Sequence, residues 1–103
     1  SQNLPRRYEA SLEEAFRGRT ILPLEALNGS FTRFDRATKS LAYAQCYSLV
    51  DYMVEIYGWE LMRELIEGCG RGDSPDAVLR RWGLNGYLLE KGWEQQVRSG
   101  MGL

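Results

Sequence analysis

The sequence predicts an all-α fold, a compact bundle of five to six helices around one long central helix. Three observations carry this. Apolar residues recur three and four apart along most of the chain, which is the period of a helix face. No five-residue window alternates apolar and polar residues as a half-buried strand does. Glycine and proline, at Gly18, Pro23, Gly58, Gly68 to Gly72, Pro75 and Gly83 among others, cut the chain into helix-length pieces.

The elements follow in order. From Pro5 to Arg17, Tyr8, Leu12, Ala15 and Phe16 fall at i, i+4, i+7 and i+8, one apolar stripe, with Asn3 placed to cap the start and Gly18 to stop the helix. Residues 20–27 are apolar but interrupted by Pro23, which predicts a short extended piece and then one helical turn closed by Asn28-Gly29-Ser30. Phe31 and Phe34 are expected to pin the next loop to the core. The longest element runs from Thr38 to Tyr57. Ala42, Cys46, Leu49, Val50, Met53 and Tyr57 form its stripe, and Leu41, Tyr43, Tyr47 and Val54 widen it. A helix apolar over most of its circumference is expected to have neighbours on several sides.

Gly58 ends that helix, and residues 59–68 return with Leu61, Met62, Leu65, Ile66 and Cys69 as their stripe. Asp73-Ser74-Pro75 is a start signal, a capping side chain followed by proline at the first helical position. The short helix it opens ends at Trp82. Gly83-Leu84-Asn85-Gly86 then turns the chain into a last helix, Tyr87 to Arg98, with Leu88, Leu89, Trp93 and Val97 inward.

Composition limits what such a bundle can do. At 103 residues and 44% hydrophobic, positions 1–103 make a single helical domain. Thirteen basic and fourteen acidic residues leave a net charge of −1, too little positive field for a nucleic-acid partner. No apolar run reaches the roughly 18–20 residues of a membrane span. The sequence opens on Ser1 rather than methionine, which suggests a fragment of a larger protein. It contains no histidine, so Ser-His and Cys-His nucleophile pairs and His-bearing zinc sites are excluded within it.

Four constellations invite a functional reading. Cys46 lies twelve residues before the Gly58 corner and Cys69 eleven after it, so the two thiols would stand at similar heights on antiparallel helices. They are a candidate disulfide in an oxidising compartment, and otherwise two free thiols filling space. Residues 76–98 have the rhythm of a helix-turn-helix, but the second helix carries no basic bias for a groove. The Gly68-to-Asp73 loop lacks the Lys-Ser/Thr and the preceding strand of a phosphate cradle. Asp51 and Glu55, one turn apart, lack a third oxygen donor for a cation and read as a solvated face.

The run Leu41-Ala42-Tyr43-Ala44-Gln45-Cys46-Tyr47-Ser48-Leu49-Val50-Asp51-Tyr52-Met53 leads to the Tyr57-Gly58 corner, the glycine-rich loop, and Leu89-Glu90-Lys91-Gly92-Trp93. Together these resemble the C-terminal helical half of a gluzincin metallopeptidase of the peptidase-MA-like kind. The resemblance covers residues 21–97. In that family zinc is held by an H-E-x-x-H helix and a glutamate on the next helix, and neither helix is in this sequence.

The resemblance therefore implies a subdomain that walls one side of the active-site cleft and is not catalytic alone. No metal or cofactor is expected in this chain. Zinc is implied for the parent if the parent is active. The implied partner is the N-terminal zinc-helix part of that parent, with a peptide or protein as substrate. Without that part, an uncovered apolar patch would favour self-association. The resemblance also implies a role for Tyr43, donation of a hydrogen bond to the oxyanion formed during peptide hydrolysis. Read from the residues alone, Tyr43 is one of several tyrosines on a crowded helix and suits a buried structural position. The competing functional reading is a stand-alone helical module that binds a protein partner in a groove between helices and has no enzymatic role.

Overall fold

The fold comes from a computed structural model that describes residues 6–27 and 31–103, without the side chains of residues 24 and 25. The elements are α1 (Arg6–Gly18), a 3₁₀ turn (Leu24–Leu27), α2 (Arg36–Tyr57), α3 (Trp59–Gly70), α4 (Pro75–Arg81) and α5 (Gly86–Met101). The all-α bundle with a long central helix is as expected, and the described residues contain no strand. The expected Asn3 cap and the Asn28-Gly29-Ser30 turn lie outside the described residues.

Side-chain caps fix the starts of three helices. Asp35, Ser74 and Asn85 accept hydrogen bonds from the backbone N–H of Thr38, Ala77 and Leu88, at 2.7, 3.2 and 2.8 Å. Four helices end in the same way, the residue after the helix folding back to pair with carbonyls of the last turn. At α1 this is Thr20 N–H to the Ala15 carbonyl, 2.9 Å, and Arg19 N–H to the Phe16 carbonyl, 3.4 Å. Gly72, Gly83 and Gly102 take the left-handed position in the other three, but in α1 it falls to Arg19, with φ 57°, one residue beyond the glycine expected to stop the helix.

The corner between α2 and α3 is Gly58, whose φ of 79° and ψ of 175° lie in a region open essentially to glycine alone. It lets α3 fold back on α2 without a loop. α1 also packs on α2, and α4 packs on α3. The core is built from Leu12 and Phe16 of α1, Ala44, Tyr52 and Met53 of α2, Leu61 of α3, Leu79 of α4, and Leu89 and Trp93 of α5.

Two polar contacts determine how α2 sits among its neighbours. Gln45 is 1% exposed and clamps the segment before the 3₁₀ turn. Its Oε1 accepts from Leu22 N–H at 2.9 Å, and its Nε2 donates to the Leu22 carbonyl at 3.1 Å. Trp93, whose ring lies 5.5 Å from that of Phe16, donates its indole N–H to buried Ser48 Oγ at 2.9 Å. A buried amide and a buried indole N–H both need such partners, because an unpaired one costs about 1–3 kcal/mol.

These contacts rotate α2 away from the expected stripe. Its buried residues are Ala42, Ala44, Gln45, Ser48, Tyr52 and Met53, whereas Cys46 is half-buried and Val50 is exposed. The helix is covered on one side and bare on the other. Ile66, Cys69 and Leu88, expected to face inward, are also exposed. Phe31 and Phe34 stack on each other at 5.6 Å, and Phe31 packs on half-exposed Tyr43, not on the core.

Candidate functional site

The bare side of α2 forms a groove of about 870 Å³. Tyr43, Tyr47, Val50, Asp51 and Val54 lie along its floor at one-turn intervals, with Cys46 at the edge. Tyr8 of α1 borders it, and Trp59, the first residue of α3, closes its far end.

Tyr43 is 50% exposed, so the buried structural position considered from the sequence is not the one it occupies. Its ring is held edge-on by Phe31 at 5.3 Å, and Phe31 is backed by Phe34, over which the Arg33 guanidinium lies at 4.4 Å. The side chain is thus propped from the loop that precedes α2. Among the described residues its hydroxyl makes no hydrogen bond, which leaves the phenol O–H available to a ligand.

Cys46 and Cys69 are both free thiols. Cys46 borders two grooves, the one just described and a more enclosed apolar one of about 530 Å³ lined also by Leu49, Met53, Leu79 and Leu89. Burial pushes its thiol pKa up, which disfavours the thiolate and argues against a nucleophilic role. Cys69 is exposed near the end of α3. Gln45, beside Tyr43 in sequence, points into the fold and does not join it in the groove.

Asp51 and Glu55 do not act as a pair. Glu55 accepts from Gln96 Nε2 at 3.3 Å, while Asp51 is half-buried at the side of the groove. Two groove residues were not given a binding role from the pattern: Asp51, which read as part of a solvated face, and Trp59. The signal in the sequence was a carboxylate set into an otherwise apolar face and an aromatic residue directly after a glycine corner.

The donor set does not fit a catalytic zinc. The chain has no histidine, and among the described residues no three His, Cys, Asp or Glu side chains converge. Nor is any helix of the described residues long and apolar enough to cross a membrane.

Fold and groove together define an all-α domain with its central helix laid open along an aromatic face. The family model of the peptidase MA superfamily matches residues 2–99, and the chain belongs to that superfamily. No curated protein and no solved structure matches it.

Proposed function

We propose that this chain is the C-terminal helical subdomain of a metallopeptidase-like protein, and that the bare face of α2 is one wall of the substrate cleft. The observation that carries this is Tyr43. In a member of the peptidase MA superfamily it stands half exposed in an uncovered groove, propped by Phe31, with its hydroxyl uncommitted among the described residues.

In this role the Tyr43 phenol donates a hydrogen bond to the carbonyl oxygen of a bound peptide as negative charge develops there. A neutral donor fixed in place stabilises charge that is present only in the transition state, which is where binding energy accelerates a reaction. The zinc helices and the base belong to the N-terminal part of the parent, and this chain supplies the opposing wall. An uncovered aromatic face suits that division, since it would face the substrate across a cleft that the partner closes on its far side.

The test is to read the coding sequence before Ser1, express the longer protein, and measure its zinc content and peptide hydrolysis. An H-E-x-x-H helix with a following glutamate, and a Tyr43→Phe variant with normal stability and turnover lowered about 10²–10³-fold, are expected. Unchanged turnover in that variant refutes the oxyanion role. Absence of the zinc helices, together with tight and selective peptide binding by this chain, favours the stand-alone interaction module instead.

A further inference from the structure

We propose that the α2 groove selects peptides carrying a lysine or arginine side chain, and that Asp51 is the residue that selects them. The inference rests on the reading of this groove as a peptide site and deepens it. It begins from an imbalance among the carboxylates. Every other half-buried carboxylate among the described residues has a partner: Glu13 pairs with Arg17, Asp73 with Arg71 and Arg81, Glu94 with Lys91, Glu64 accepts from the Trp82 indole, and Glu90 is engaged as well. Among the described residues Asp51 has neither an ion pair nor a hydrogen bond. A partly desolvated carboxylate left unpaired is a cost that an incoming cation removes.

The surroundings match that cation. Among the described residues no lysine or arginine lines the groove. On its other side Asp51 borders a small depression shared with a second carboxylate, Glu9. Tyr47 stands one turn before Asp51 on the same helix face, and Trp59, 70% exposed, closes the far end. Aromatic faces attract guanidinium and ammonium groups, and the chain already shows this at the groove's border, where the Arg7 guanidinium lies 4.9 Å from the centre of the Tyr8 ring. The floor from Tyr43 to Val54 runs about 16 Å at 1.5 Å per residue, room for about five extended residues. Such a peptide would lie along α2 and drop one basic side chain beside Asp51.

The experiment is a titration of the ¹⁵N-labelled chain, followed by NMR, with capped Ala-Ala-Arg-Ala-Ala and the same peptide with norleucine or glutamate at the centre. The arginine peptide is expected to shift the amides of the α2 face and the Trp59 indole, and to bind at least about fivefold tighter than the norleucine peptide. Asp51→Asn should abolish that difference while the far-UV circular dichroism stays unchanged, and Asp51→Glu should restore part of it. Equal binding of the three peptides, a preference that survives Asp51→Asn, or no shift up to about 10 mM peptide each overturns the proposal. A longer protein that holds zinc and cuts peptides without basic preference would remove this inference and leave the cleft reading standing. A basic preference in a protein without zinc helices would do the reverse.

Discussion

Gly92 tests the packing of α5 on α2 through the sign of a single substitution. It sits in the middle of α5, where glycine is unfavourable by about 1 kcal/mol relative to alanine. In open space Gly92→Ala would therefore stabilise. Here a Cβ would land on the Tyr52 hydroxyl, with the ring carbon Cζ 3.2 Å away. Tyr52 has little room to yield, being buried in the core and held edge-on to Tyr57 at 6.3 Å. Overpacking of this kind costs about 1–3 kcal/mol, which outweighs the helix-propensity gain and leaves a net loss of about 1 kcal/mol. Gly100, in the same helix, has nothing within 4 Å of its hypothetical Cβ and serves as the control. Gly100→Ala should raise the midpoint of thermal unfolding, and Gly92→Ala should lower it by about 4–8 °C. In a Tyr52→Phe background, without the hydroxyl, the penalty of Gly92→Ala should shrink. If both alanines raise Tm alike, α5 does not approach Tyr52 as described.

Three further outcomes are expected. Gln45→Ala should lower stability in urea by about 2 kcal/mol, because it strips both partners from the Leu22 backbone and leaves a void beside α2; a loss within the noise would refute the clamp. Alkylation at neutral pH should modify two thiols per chain, Cys69 first and Cys46 slowly, since Cys46 is half-buried and its thiolate is disfavoured; recovery of a Cys46–Cys69 disulfide under oxidising conditions would revive the pairing the sequence permits. The Asp35 carboxyl is held below its ordinary value of 3.8 by the Thr38 N–H, so its capping contribution is present above that pH and lost as the pH falls through the lowered folded-state value. Asp35→Asn should keep the cap and flatten that part of the acid-unfolding curve, and an unchanged curve would count against it.

Much of the fold was legible in the sequence. The glycine and proline positions gave the helix boundaries to within a few residues, because backbone freedom and capping are local properties. Ser74-Pro75 and the Gly58 corner needed no tertiary information. The end of α1 was read one residue short, since the left-handed residue there is Arg19 and not a glycine.

The candidate site was legible only in part. The resemblance singled out Tyr43, and its place in the groove is a finding of the structure. Asp51 looked like an ordinary solvated residue until its lack of a partner among otherwise paired half-buried carboxylates became visible. Gln45 and Ser48 lie off the predicted apolar stripe and are buried, because each satisfies a polar group contributed from a distant part of the chain.

Local chemistry, then, determined that this chain is helical, where its helices start and stop, and that its charge is nearly balanced. Which side of α2 faces the core was decided by tertiary packing alone. That helix is apolar around most of its circumference, so its own periodicity does not choose a face. The choice was made where α1 and α5 dock, by the Gln45 clamp and the Trp93–Ser48 bond, and it left Tyr43, Tyr47, Val50 and Trp59 uncovered as the groove.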